Sequence, residues 1–379
     1  MHENRHRYIV LCQQMLAVGT VLVVAASAAG VVTLELVAPV PATSGGHVPG
    51  ETRPMALVAA EPVEPTVIEV PVRGRERGRS QALTRRRSVQ ADGAPTQVAA
   101  VSEPQPVTGY ATVGVTWKHG VDVPDDEIVV AVRSRQDGTW SAWEPLEYHE
   151  EHGPDPGSAE ALASRPGTSP VVVGAVDDVQ VRIETVDGEV PTGARLAVVD
   201  PGETDHVRRE EAAIDTAALG SDGPSSGGGE PAATLTAATG GADTGALVAT
   251  PGHVTPKPRI FSRSQWGADE RMRDKSSLSY YEVHAGFVHH TVNANGYTRA
   301  QVPSLLRGIY AYHTQSQRWS DIGYNFVVDR FGRIWEGRYG GVDRPVVGAH
   351  TLGYNEYSFA MSALGNFESA LAAAAMVEA

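Results

Sequence analysis

His284-Ala285-Gly286-Phe287-Val288-His289-His290-Thr291-Val292 reads as a buried strand ending in a polar triplet, and the elements arranged around it decide the fold. Thr298 opens a predicted helix running to about Gln315. Val302, Leu305, Leu306, Ile309, Tyr310 and His313 fall at i, i+3, i+4, i+7, i+8 and i+11 and therefore share one face. Trp319-Ser320-Asp321-Ile322-Gly323-Tyr324-Asn325-Phe326-Val327-Val328 returns to strand composition, and a turn at Asp329-Arg330-Phe331-Gly332 joins it to Ile334-Trp335-Glu336-Gly337-Arg338. Val346-Val347-Gly348-Ala349-His350 leads to Gly353-Tyr354-Asn355, Phe359 to Leu364 reads as another strand, and a helix is expected to start within Ala370 to Ala379. Strands alternating with helices predict an α/β domain with a mixed sheet over residues 258–379.

Outward from that domain, composition divides the 379 residues further. No Phe, Trp or Tyr occurs from Ile9 to Gly109 or from Asp200 to Pro258, and segments without aromatics bury little apolar area. Residues 201–257, with Ser225-Ser226-Gly227-Gly228-Gly229 and an Ala/Thr/Gly run, have linker composition. Residues 35–106 are rich in Pro, Ala, Val and Glu and carry an arginine cluster from Arg73 to Arg87, readable as a solvated tether or as a contact with anionic wall polymers or lipid headgroups. Between the linkers, residues 107–200 turn to strands: Ala111 to Trp117, Ile128 to Arg135, the Asp137-Gly138 turn into Thr139-Trp140-Ser141-Ala142-Trp143, Pro170 to Val176, Val179 to Val186 and Arg195 to Val199. That pattern predicts a small all-β, sandwich-like domain. Trp117, Trp140 and Trp143 suit either a ligand platform or core and hairpin packing, and nothing in the domain has catalytic spacing.

Arg5, His6 and Arg7 precede an uncharged apolar run from Met15 to Leu34, with Ala26-Ser27-Ala28 as a small-residue cleavage site. Residues 1–34 therefore predict a secretory signal peptide, with a retained membrane anchor as the rival; either places the remainder outside the membrane. The only cysteine, Cys12, lies in that segment, so an intramolecular disulfide and a Cys-rich zinc module are both excluded. A net charge of −14 argues against nucleic acid as the main partner.

His289, His290, His313 and His350 gather around predicted strand ends, with Tyr324 and Asn355 nearby. Neutral imidazoles are common zinc ligands, catalytic zinc needs about three protein ligands plus water, and a phenol beside it can donate to a developing oxyanion. The same residues also suit a core in which each histidine is hydrogen-bonded, and no tight metal motif such as H-E-x-x-H is present.

Phe287-Val288-His289-His290-Thr291, Trp319 to Phe326, Trp335-Glu336-Gly337-Arg338, Gly348-Ala349-His350 and Gly353-Tyr354-Asn355 together resemble, in order and spacing, the zinc-dependent N-acetylmuramoyl-L-alanine amidases and peptidoglycan recognition proteins. The β-rich stretch resembles the accessory domain found upstream of such domains in actinobacterial wall proteins. The resemblance implies a mixed sheet flanked by helices and a groove for the glycan and stem peptide of peptidoglycan. It implies a zinc cofactor and hydrolysis of the amide between N-acetylmuramic acid and L-alanine during cell-wall turnover by a secreted, wall-associated hydrolase. Carried over by position, His289 is the metal ligand, Tyr324 the catalytic residue, and His290, Thr291, His313, His350 and Asn355 the substrate-binding residues. In the family the second and third zinc ligands lie in a Gly-His-Arg-like and a Cys-Pro-Gly-like segment further on, so the domain is expected to be incomplete at its C-terminal side. The alternative expectation is a non-catalytic peptidoglycan-binding protein.

Overall fold

The computed structural model describes residues 62–74, 95–107, 109–174, 176–203, 212–215, 258–368 and 370–379. The predicted signal segment, the arginines from Arg75 to Arg87 and most of residues 201–257 lie outside them. No helix among the described residues is long and apolar enough to cross a membrane.

Among the described residues the N-terminal half holds ten strands: β1 (Thr66–Pro71), β2 (Gln97–Val101), β3 (Gln105–Pro106), β4 (Ala111–Thr116), β5 (Ile128–Gln136), β6 (Thr139–Trp140), β7 (Glu144–Leu146), β8 (Val171–Val173), β9 (Asp178–Thr185) and β10 (Arg195–Asp200). One sheet runs β1-β10-β4-β8; the other runs β2-β9-β5-β6, with β3 on β9 and β7 on β5, and all pairings are antiparallel. Val113, Val115 and Leu196 of the first sheet meet Val130, Val132, Val179, Val181 and Ile183 of the second in a single apolar core. The period-2 spacing of Val179, Val181 and Ile183 places all three on one side of β9. Asp137 and Gly138 both take positive φ, 49° and 75°, as a two-residue hairpin loop requires.

Three strands fall where composition predicts a linker. β1 pairs with β10 from Thr66↔Asp200 to Pro71↔Arg195, and β2 and β3 pair with β9. They need no aromatics, because each adds a sheet edge and buries only small side chains such as Val72, Ala99 and Ala100. The all-β unit therefore begins well before residue 107. Trp117 is a core residue, fully buried with its Nε1 donating to the carbonyl of Val121 at 3.0 Å. Trp140 and Trp143 pack against guanidinium groups: Arg133 lies 4.5 Å from each ring centroid and Arg182 4.8 Å from that of Trp143.

A short helix, α1 (Ala159–Ala163), capped by the Ser158 hydroxyl, touches the C-terminal half through Glu160. There β11 (Ile214–Asp215), β12 (Arg259–Phe261), β13 (Ala285–His290), β14 (Phe326–Val328), β15 (Ile334–Glu336) and β16 (Ser358–Ala363) form a sheet in the order β11-β12-β15-β14-β16-β13. The pairs β12/β15, β14/β16 and β13/β16 are parallel, while β11/β12 and β14/β15 are antiparallel, so the sheet is mixed. Adjacent residues face opposite ways: Val327 and Trp335 join one apolar cluster, Val328 and Ile334 the other.

The long helix α2 (Val302–Ala311) starts at Val302, later than the expected cap at Thr298, with Pro303 in its first turn. It runs on through a π-turn over Tyr312–Ser316. All six residues of its predicted apolar face are buried. Much of the rest of its surface is buried too, because α2 lies between two sheets. Ala311 and Tyr312 share a core cluster with Ala197 and Val199 of β10. Helix and strands touch through glycines, since a methyl on Gly114 would overlap the Tyr312 ring and one on Gly308 would overlap Thr112. The terminal helix is a single turn, α3 (Ala374–Val377), with Met376 buried against Val328 and Ile334.

Candidate functional site

His289 of β13, Tyr324 in the loop before β14 and His350 in the loop before β16 come together over the parallel strands β13, β14 and β16. His289 stands near the end of β13, half-buried, with its ring 5.7 Å from that of Tyr324, 5.6 Å from His350 and 6.2 Å from Phe287. His313 lies 5.9 Å from Tyr324 on the other side. Phe287 is 6.0 Å from both His350 and the exposed Tyr354. An aromatic and imidazole cluster results.

The loop that carries Tyr324 is fastened from below. Arg263, buried, donates to Asp321 Oδ1 at 3.0 Å, to Glu270 Oε1 at 2.7 Å and to the carbonyl of Gly337. Asp321 also accepts from the amides of Ile322 at 2.7 Å and Tyr339 at 3.1 Å. Arg338 donates from Nε to the carbonyl of Ile322 at 3.0 Å and pairs with Glu160 of α1 at 2.8 Å. Those contacts account for the Asp321 and Arg338 positions of the two sequence motifs: they hold the Tyr324 loop rather than facing a ligand.

Burial keeps the imidazoles of this cluster uncharged. Together with His290, it holds His289 down at about 4. Burial, then the neighbouring His289 and Arg338, lower His350 to about 3. Burial and then Arg338 lower His313 to about 3. All three rings are thus neutral near pH 7. Burial pushes the Tyr324 phenol up to about 12, so it stays protonated and available as a donor.

The predicted residues separate into two groups. His289, Tyr324, His313 and His350 converge. Thr291 is buried and satisfied inside the fold: it pairs with Asn293, and its hydroxyl accepts from the Gly365 amide at 2.9 Å. The Asn355 carboxamide is equally committed. Its Oδ1 accepts from the amides of His350 and Thr351 at 2.6 and 3.0 Å, and its Nδ2 donates to Gly153 and Asp155 at 2.8 Å each. His290 accepts at Nδ1 from the Phe367 amide at 3.1 Å, with Glu147 3.5 Å from its Nε2.

Sequence reasoning passes over Thr351, whose hydroxyl lies 3.2 Å from His289 Nε2 and 3.1 Å from His350 Nδ1. One hydroxyl hydrogen serves only one of these nitrogens, so Thr351 couples the tautomers of the two rings. It also passes over Glu147, His152 and Asp155 from the N-terminal half. The one signal there is a His-Glu-Glu-His run over His149–His152, which has no metal-binding register.

These donors meet the needs of zinc only in part. The neutral His289 and the buried, unpartnered Nε2 of His350 have suitable chemistry. Yet among the described residues no group of three His, Cys, Asp or Glu side chains is arranged to hold a metal ion. The donor set present does not fit a catalytic zinc, which takes about three protein ligands.

A mixed-sheet α/β domain with a cluster of neutral imidazoles and a phenol, joined to an all-β unit, defines the class of protein. The family model described as Rv3811 N-terminal galactose-binding domain-like matches residues 58–211, in keeping with the early start of the all-β unit. Peptidoglycan-recognition protein SC2 of Drosophila melanogaster is 37% identical over 120 residues, 32% of this chain and 62% of that protein. The N-acetylmuramoyl-L-alanine amidase of Homo sapiens is 36% identical over 118 residues, 30% of this chain and 19% of that protein. A solved structure of bumblebee PGRP-SA is 34% identical and covers 32% of this chain and 70% of that one, at a TM-score of 0.28. The chain thus carries a domain of the peptidoglycan-recognition and N-acetylmuramoyl-L-alanine amidase family, and spans less than two thirds of the length of the Drosophila and human relatives named above.

Proposed function

We propose that this chain recognises the muramyl-peptide part of bacterial peptidoglycan in the groove lined by Phe287, His289, Tyr324, His350 and Tyr354. The convergence of His289 from β13 with Tyr324 and His350 from two loops carries this reading. A groove of neutral imidazoles, a protonated phenol and aromatic faces suits the amide groups and apolar sugar faces of such a ligand. The names of the family relatives point the same way. The basic start and apolar run of residues 1–34, which lie outside the described residues, support an extracellular, wall-associated location. The test is retention of the full chain on insoluble peptidoglycan, then calorimetry with a soluble muramyl tripeptide. Replacing His289 with Ala together with Tyr324→Phe is expected to weaken binding about tenfold or more, on the order of 1.4 kcal/mol. No retention of the wild-type chain would sink the reading.

Hydrolysis of the amide between N-acetylmuramic acid and L-alanine is the second reading, favoured by the protonated Tyr324 phenol beside the neutral His289 imidazole. The phenol would donate to the carbonyl oxygen as it gains charge. Release of the stem peptide by the wild-type chain, lost in His289→Ala, would establish it; binding without release leaves recognition alone.

A further inference from the structure

The N-terminal half contributes a strap to the groove. From Glu147 to Glu160 the chain leaves the all-β unit and runs along the rim formed by residues 350–355. Glu147 lies 3.5 Å from His290 Nε2. The carbonyl of Glu151 accepts from the Leu352 amide at 2.8 Å, and Asp155 Oδ1 accepts from the Gly353 amide at 2.6 Å. The Nδ2 of Asn355 donates to the Gly153 carbonyl and to Asp155 Oδ1, both at 2.8 Å. The His152 ring stands edge-on to His289, with centroids 5.2 Å apart. Glu160 secures the far end on the buried Arg338 and accepts from the Ser320 amide at 2.9 Å.

The backbone amides so engaged are donors of the kind that a peptide's carbonyls accept from. The amides of Leu352 and Gly353, the Asn355 carboxamide and His290 Nε2 all face acceptors supplied by the strap. A ligand lying along the same rim competes with Glu151, Gly153 and Asp155 for these donors, and with His152 for the His289 face.

We infer that the segment Glu147–Glu160 closes the groove of the resting protein, and that a muramyl peptide binds by displacing it. The inference rests on the recognition reading above. It makes the apparent affinity the product of the intrinsic affinity and the fraction of molecules with the strap lifted.

Asp155 is the lever, because one of its carboxylate oxygens accepts from two donors of the rim while the residue itself belongs to the strap. In the full chain, Asp155→Ala is expected to bind the muramyl tripeptide about fivefold more tightly, whereas Asp155→Asn, which keeps the Oδ1 acceptor, stays close to wild type. Hydrogen exchange gives a second readout: adding the tripeptide to the wild-type chain should speed exchange across residues 147–158. Equal or weaker binding by Asp155→Ala, or slower exchange in that segment with ligand bound, would overturn the inference and make the strap a fixed wall of the groove. If neither wild type nor variant binds, the recognition reading itself fails and takes the strap with it. A wild type that binds beside a variant that binds no better removes the strap alone.

Discussion

The His313 imidazole accepts from the Gly323 amide at 3.2 Å and lies against Trp319 with centroids 4.4 Å apart, fully enclosed. Its folded-state pKa of about 3 sits below the ordinary 6.5, so the unfolded chain takes up a proton on acidification that the folded chain refuses. The stability this neutral ring contributes is complete above about pH 6.5 and declines as pH falls toward 3, at up to about 1.4 kcal/mol per pH unit. Denaturant midpoints measured from pH 7 to pH 4 should show that decline. In His313→Asn, which keeps an acceptor for Gly323, the slope should flatten by about one proton's worth; an unchanged slope would show that His313 does not titrate in the way described. At the same scale, sequence reading locates His289, His350 and Tyr324 but not the commitments of Thr291 and Asn355. A hydroxyl or carboxamide serves backbone and ligand with the same chemistry, and only the fold decides between them.

Among elements, α2 shows what periodicity conveys and what it leaves out. The apolar face of Val302, Leu305, Leu306, Ile309 and Tyr310 is readable from spacing and is buried as expected. The burial of Gly308, Ala311 and Tyr312 is not readable, because it depends on strands β4 and β10, far away in sequence. The strand glycine Gly114 is where the Tyr312 ring presses on β4, and the Tyr312 hydroxyl donates to the Thr168 carbonyl at 3.0 Å. Gly114→Ala is therefore expected to destabilise the protein by about 1–3 kcal/mol through overpacking, read as a lowered thermal midpoint. Tyr312→Phe should lose only about 1 kcal/mol, the worth of one buried hydroxyl bond. A harmless Gly114→Ala would mean the helix and strand are not in this contact. Strands β1 and β2 escape sequence reading for a related reason: each is short, free of aromatics and defined by a partner on the far side of the domain.

For the whole molecule, the two halves share structure instead of merely being joined. Val172 of β8 packs on the C-terminal core, Val67 of β1 on the mixed cluster of Ala197, Val199, Ala311 and Tyr312, and Glu160 neutralises the buried Arg338. The chain is expected to unfold in one calorimetric transition, and a fragment of residues 258–379 alone should expose the buried side of α2 and aggregate. Two well-separated transitions would refute that coupling. Glu160→Ala should show it from the other direction, lowering stability by roughly 3–5 kcal/mol because Arg338 keeps its charge and loses its carboxylate.

Arg307 gives that coupling a physical seam. Its guanidinium is buried on α2, and that burial lowers its pKa to about 10. It donates to the carbonyls of Pro201 at 2.8 Å, Gly202 at 2.7 Å and Trp266 at 2.9 Å. The chain just beyond β10 is therefore gripped by the helix of the other half, and Ile214–Asp215 add a strand to its sheet. A protease that nicks the polypeptide between residues 216 and 257 would cut the covalent thread without parting the pieces: the two fragments should co-elute as one particle and separate only in denaturant.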